Sequence, residues 1–364
     1  MKVKFSDLST INRQVKDEAM SAISSLIDDS SFIDGKTVRL FEEKFAEFCG
    51  VKYCVCVNNG TSALHLALKT VKSFQNKKVA TAPNSFFATA EAISYCNLDP
   101  LFVDVDFKNF NINTEILTSR VNEYDGIMPI SLYGNPCDLT KIKNLTNNND
   151  KFLIHDACQA HGAEHNGKKI AQYSDLTCFS FYPSKNLGTF GEGGAIVTDN
   201  KALYEELYKL KQHGQKNRHD HEFVGFNYRL NEIQAAVLLI KLKYLNEWTE
   251  DRIRMANRYN LNLKSNKKIR TLQVNESDKC VYHLYPIFTP YKKEVTELFS
   301  SNQIEYSFHY PVPIYSQKAY SYLNANIDDF PATEVSVDQQ ISLPLYVGLP
   351  NEEIDYVCDI LNKI

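Results

Sequence analysis

Residues 174–198 read SDLTCFSFYPSKNLGTFGEGGAIVT. A β-rich run, residues 176–182, delivers a single lysine, Lys185, and glycines follow at 188, 191, 193 and 194. A lysine just past a buried strand is partly desolvated, which lowers its pKa and makes its amine a nucleophile toward aldehydes, as a Schiff base demands. A surface lysine in a turn would read the same way, so the rest of the chain has to converge on it.

Working outward, residues 151–154 form a short apolar run that ends in HDACQAHGA, placing His155, Asp156, Gln159 and His161 at a strand end. Further strands are expected at 52–57, 78–83, 101–105 (ending in Asp104 and Asp106) and 126–132, alternating with helices. That order predicts a mostly parallel α/β sheet with its site along the strands' C-terminal edge. In NNGTSALHLALKTV, Asn58 to Gly60 make a turn, Thr61 or Ser62 can cap, and Leu64, Ala67, Leu68 and Val71 share one helical face. A glycine turn at a hydroxyl-lined helix N-terminus suits an anion, although plain capping suits it equally. Phe86 and Phe87 follow another strand end, where one ring could stack on a planar group. The tract NLTNNND reads as a surface turn.

Beyond the lysine, the spacing predicts a helix over 201–212, then the polar, histidine-rich loop HGQKNRHDHE (213–222). GFNYRLNEIQ leads into a helix with Ile233, Val237, Ile240, Tyr244 and Trp248 on one face. The pattern then changes to a helix over 250–263, short strands near 281–288 and 304–310 with a helix between, and a final helix. This reads as a large domain, 1–248, and a smaller α+β domain, 249–364. Helices are also expected at 11–27 and 37–48, the first a candidate to pack with the small domain.

With 364 residues and a formal charge of −4, nothing points to nucleic acid or an anionic membrane. Nine scattered cysteines without a CxxC pair read as buried reduced thiols of a cytoplasmic protein. No apolar run suggests a signal peptide or a membrane span. No second acidic or His cluster with ligand spacing accompanies His155 and Asp156, so no metal is expected.

One cofactor fits these pieces together. Asp156 could pair with a pyridinium nitrogen, Gly60, Thr61, Ser62 and Ser180 could hold a phosphate, and Phe86 could cover a ring, all around pyridoxal 5′-phosphate on Lys185. The phrases FIDGKTVRLFEEKFAEFCGVKY, NNGTSALHLAL, NSFFATAEAI, HDACQAHGAEHNGKK, FSFYPSKNLGTFGEGGAIVT, GFNYRLNEIQAAVL and HYPVPIY occur in the order seen in the DegT-type nucleotide-sugar aminotransferases, which the chain resembles from about residue 5 onward. The resemblance implies an aspartate-aminotransferase-like fold of type I: a seven-stranded, mostly parallel mixed sheet flanked by helices, plus a smaller C-terminal α+β domain. It implies a homodimer with active sites at the interface. By carry-over Lys185 is the Schiff-base lysine, Asp156 pairs with the ring nitrogen, Gln159 lies beside the ring, and Gly60, Thr61, Ser62 and Ser180 match phosphate positions. Phe86 falls at the stacking position, and Asn227 matches the asparagine that reaches the partner subunit's cofactor.

The implied reaction moves the amino group of L-glutamate to a nucleotide-linked keto sugar, with Lys185 moving the proton in both halves. The wording of residues 185–198 is closer to the sugar 3-aminotransferase branch, favouring a dTDP-3-keto-6-deoxyhexose as substrate in deoxyamino-sugar biosynthesis for polysaccharide, O-antigen or secondary metabolite. The alternatives are a 4-keto-sugar aminotransferase acting on a UDP-, GDP- or dTDP-sugar, and a non-catalytic PLP-binding regulatory or structural homologue. A dinucleotide-binding oxidoreductase fails because residues 188–194 lack GxGxxG spacing. Candidate sugar contacts are Phe32, Arg218, His219, His221, Tyr228, His309 and Tyr310.

Overall fold

The computed structural model describes residues 1–71 and 74–364. Seven strands form the main sheet: β1 (Tyr53–Val57), β2 (Lys78–Thr81), β3 (Asp99–Phe102), β4 (Gly126–Ile127), β5 (Phe152–Asp156), β6 (Leu176–Ser180) and β7 (Gly194–Thr198). Their order across the sheet is β1-β7-β6-β5-β4-β2-β3. Only β7 runs against its neighbours, and the other four pairings are parallel. The C-terminal ends of β1, β5 and β6 therefore meet on one edge, with Ser180 opposite Gly194 and Gly194 opposite Val57. A fully buried run such as VCV in β1 suits a sheet covered on both faces.

The covering helices include α1 (Ser9–Asp28), α2 (Lys36–Cys49), α3 (Gly60–Lys69), α4 (Ala88–Tyr95), α5 (Thr114–Ser119), α6 (Leu139–Asn148), α7 (Lys201–Leu210), α8 (Glu232–Leu242) and α9 (Leu245–Leu263). Three backbone N–H groups of the α2 start, those of Gly35, Thr37 and Val38, donate to the buried carboxylate of Glu232 at 2.7–3.0 Å. An acid from α8 thus does for α2 what a local cap does elsewhere. Helix α1 packs Ile11, Val15 and Ala19 against Val237, Ile240 and Trp248 of the α8–α9 region, each such burial contributing roughly 1.5–3 kcal/mol for a large aliphatic side chain. Upstream of α1, Val3 pairs with Ile304 in the C-terminal core instead.

That second core surrounds an antiparallel sheet of β8 (Arg270–Thr271), β9 (Tyr285–Phe288) and β10 (Gln340–Leu343). The two cores are not separated by a linker: α9 starts three residues after α8 ends, and Leu272, Val281 and Phe288 reach into the main core.

Several sequence expectations need correction. The strand expected at 101–105 stops at Phe102, because the backbone beyond it pairs elsewhere: the Asp104 carbonyl accepts from Asn113 N–H and Val105 bridges Ile112, while the Asp104 carboxylate accepts from the N–H groups of Ala332 and Thr333 at a later helix start. The strand at 126–132 stops at Ile127 and turns at Tyr133, which has φ +61°. Residues 304–310 form only isolated bridges, at Ile304 and Ser307. Most of NLTNNND is the last turn and a half of α6, with Thr146 buried. Among the described residues no helix is long and apolar enough to cross a membrane, and all nine cysteines are free, seven of them buried.

Candidate active site

The edge where β1, β5 and β6 end is closed by the loop carrying Lys185. Its N–H donates to the Tyr182 carbonyl at 2.8 Å, and Thr189 N–H donates to the Phe181 carbonyl at 2.9 Å, so the loop folds back on the strand end. Gly188 makes that closure possible, since a Cβ there would stand 2.4 Å from the Pro183 carbonyl oxygen. Helix α8 holds the loop from outside: Lys241 Nζ donates to the Gly188 carbonyl at 2.8 Å, and Thr189 Oγ1 donates to Gln234. Burial pushes the Lys185 amine below the ordinary lysine value, opposed by the nearby Cys158 and Asp156.

Asp156, 5% exposed, ends β5. Its Oδ2 accepts from Thr89 Oγ1 at 2.7 Å and its Oδ1 from the Cys158 N–H at 3.1 Å. Gln159 is buried beside it, with Oε1 accepting from Tyr133 N–H at 2.8 Å and Nε2 donating to the Tyr310 hydroxyl at 3.1 Å. Burial, with Asp156 nearby, raises the Tyr310 phenol, so it stays protonated.

Gly60 starts α3 directly against Ser180. A Cβ on residue 60 would lie 2.7 Å from Ser180 Cβ, so only glycine allows this approach. Gly194 is required for a related reason, a Cβ there falling 2.4 Å from the Asn59 carbonyl oxygen. The cap of α3 is Asn59, whose side chain accepts from Ser62 N–H at 2.7 Å, and not Thr61 or Ser62 as the sequence suggested. Helix geometry leaves the Gly60 and Thr61 N–H groups without intrahelical acceptors beside the Ser180 hydroxyl, an arrangement that suits an anion.

Of the two phenylalanines, Phe87 packs on Tyr320 away from the cleft, while Phe86 is 57% exposed with its ring 5.7 Å from that of Tyr310. His309 also joins the cluster: its carbonyl accepts from Tyr133 Oη at 2.7 Å, its Nδ1 lies 2.9 Å from Ser342 Oγ, and burial and Lys185 push it to about 4. His155 and His161, expected at the edge, are fully buried in the core. His155 turns back to Ser131 Oγ at 2.9 Å, and His161 lies against Phe179 and Phe181 with neither nitrogen bonded.

Six candidates stand apart from Lys185 in the single chain. Arg218, His219 and His221 are exposed on a hairpin of residues 215–221. Asn227 is exposed, its Oδ1 accepting from Arg229 Nε and Nη2 at 3.0 and 2.8 Å. Tyr228 stacks on Phe226 and contacts His65 Nδ1 at 3.3 Å, although its carbonyl accepts from Asn58 N–H in the cradle turn. Phe32 is exposed, its carbonyl accepting from Glu232 N–H. Conversely, Thr89, Tyr133 and His283 border the site without any sequence signal, because the contacts that bring them there span distant segments, while Cys158 and Asn186 were passed over beside Asp156 and Lys185.

The residues present fit a phosphorylated pyridine aldehyde: a desolvated amine, a buried carboxylate with fixed oxygens, and a glycine-permitted anion cradle. Residues 13–362 match the DegT/DnrJ/EryC1/StrS aminotransferase family. The chain is 34% identical over 365 residues to the dTDP-3-amino-3,6-dideoxy-alpha-D-galactopyranose transaminase of Aneurinibacillus thermoaerophilus, covering 99% of both. It is 32% identical over 362 residues to the pleiotropic regulatory protein of Geobacillus stearothermophilus, covering 99% of this chain and 97% of that one. In three dimensions it is similar to S. venezuelae DesV, solved in complex with a ketimine intermediate, with a TM-score of 0.95 and 30% identity over 100% of this chain and 98% of that one.

Proposed function

From its membership of the DegT/DnrJ/EryC1/StrS aminotransferase family, to which the chain belongs, we propose how its residues divide the work and which sugar it aminates. The protein is a nucleotide-sugar aminotransferase dependent on pyridoxal 5′-phosphate. The observation that carries the residue assignments is the desolvated Lys185, near Asp156 and Cys158, with Cys158 Sγ and Ser180 in turn against Gly60.

In this reading Gly60, Thr61, Ser62 and Ser180 hold the cofactor phosphate, Asp156 holds the proton on the ring nitrogen, Gln159 flanks the ring and Phe86 covers it. The bound cofactor supplies a carbonyl that takes up the amino group and a protonated ring that draws electrons from the carbon losing its proton. Lys185 Nζ, its pKa lowered by burial, takes the proton from the amino donor's Cα and delivers one to the sugar carbon that receives nitrogen. Thr89 and the Cys158 N–H fix the Asp156 oxygens, so the carboxylate spends no orientation entropy when the ring arrives.

We read L-glutamate as donor and a dTDP-3-keto-6-deoxyhexose as acceptor. The dTDP-3-amino relative supports this reading. The glycines at 188 and 194 do not, since backbone packing requires them whatever the sugar. A cytoplasmic homodimer with the site at its interface, and residues 1–248 and 249–364 as its two domains, complete the proposal. Exposure of Phe32, Phe86, Phe223 and Val224 supports a subunit contact that would bring Asn227 and the 215–221 hairpin to a partner's site. Incubation with glutamate and, separately, 3-keto and 4-keto nucleotide sugars is expected to give a C3-amino product by NMR. Amination at C4 alone would overturn the regiochemical assignment.

A further inference from the structure

The side-chain amide of Asn186, next to Lys185, is fixed by two bonds to residues 281–283. Its Nδ2 donates to the Val281 carbonyl at 2.9 Å, and its Oδ1 lies 3.2 Å from His283 Nδ1. A carbonyl can only accept, so Asn186 must turn its NH2 to Val281 and its oxygen to the imidazole. An amide oxygen also only accepts, so Nδ1 of His283 must carry the ring proton. The other nitrogen of the neutral ring, Nε2, is then left as an acceptor. Burial keeps the ring neutral, and the charges of Lys185 and Arg252 reinforce it. Arg252 in turn pins this segment, its Nη1 donating to the carbonyls of Tyr282, His283 and Leu345 at 3.2–3.4 Å.

Among the described residues Nε2 has no protein partner, and the ring is half-buried. His161 differs: both its nitrogens are sealed in the core. An acceptor whose tautomer is set in advance, in the field of Lys185, with no donor among the described residues, is suited to a donor that arrives with the ligand.

We propose that His283 is a substrate-contacting residue whose Nε2 accepts a hydrogen bond from an N–H or O–H of the bound substrate, either the amino group of the donor or a hydroxyl of the keto sugar. The proposal rests on the aminotransferase reading above. In 15N-histidine-labelled holoenzyme, His283 is expected to show a protonated Nδ1 and a pyridine-type Nε2, and the Nε2 resonance should move when L-glutamate or the amino-sugar product saturates the site. No movement with either ligand would overturn the proposal. Transient absorbance separates the two half-reactions. His283→Ala is expected to slow the glutamate half about tenfold if the amino group is the donor, or the sugar half about tenfold if a hydroxyl is, with the other half unchanged. His283→Gln, whose amide oxygen reaches close to the place of Nε2, should recover most of the loss. Equal slowing of both halves, or of neither, rules the contact out. A wild-type enzyme inert toward every amino donor would remove the aminotransferase reading instead, and the NMR measurement, which needs binding and not turnover, would still decide the role of His283.

Discussion

Lys185 and Lys211 are both taken out of water, yet the surroundings of the two amines push them in opposite directions. Around Lys211, burial works against the charge, but Glu42 and Asp34 at 3.1 Å each, with the Cys56 carbonyl at 3.3 Å, outweigh it and hold the ammonium above the ordinary lysine value. Two carboxylates share that one cation, and burial accordingly raises Glu42. Around Lys185 the neighbouring carboxylate, Asp156, is already committed to Thr89 and to the Cys158 N–H, so burial prevails and the amine falls. Burial alone therefore assigns no role to a lysine. The hydrogen-bond commitments of the nearest acids do.

Three measurements would break or sharpen this contrast. Lys185→Ala should abolish transamination, a loss of about 10⁴-fold or more in 2-oxoglutarate release, with a thermal midpoint no lower than that of the parent, since it removes a desolvated amine. Retained turnover would dismiss Lys185 from its role. Lys211→Met should do the reverse, leaving Glu42 and Asp34 buried without a counter-charge. Stability in urea should drop by about 3–5 kcal/mol, while turnover per folded molecule stays within about threefold. A loss under about 1 kcal/mol would mean that the network is dispensable.

The smallest effect concerns Lys241, whose amine bonds the Gly188 and Asn12 oxygens and which burial lowers to about 8. Between pH 8 and 10.5 the unfolded chain binds more protons at this site than the folded one, so its contribution to stability rises with pH across that window. Lys211, raised in the folded state, contributes a constant amount there, and its share is lost only above the window. Urea midpoints of the parent and Lys241→Met should thus diverge upward for the parent from pH 8 to 10.5, by on the order of 2 kcal/mol. Parallel profiles would argue against a desolvated Lys241.

The reading from sequence was strongest where chemistry follows chain order. Strand ends, the Asn58–Gly60 turn, Asp156 and Lys185 could be found because each is announced by its own neighbours. Strand lengths were overestimated where the backbone pairs away from the sheet, as when Asp104 and Val105 turn to residues 112 and 113. His155 and His161 were misplaced because a strand-end histidine carries no mark of the face it will take. The cap of α3 fell to Asn59 and not to the hydroxyls, an ambiguity that propensity cannot resolve when three capping residues lie within four positions.

By itself the sequence determined the α/β frame and that Asp156 closes one strand and Lys185 follows another, since hydrophobic periodicity and local turn chemistry act within a few residues of the chain. Tertiary structure alone decided which glycines are obligatory, which phenylalanine faces the cleft, and that burial lowers the amine of Lys185 while paired acids raise that of Lys211. Those outcomes depend on distances between segments that are far apart in the chain, and electrostatics and close packing respond to those distances and not to sequence order.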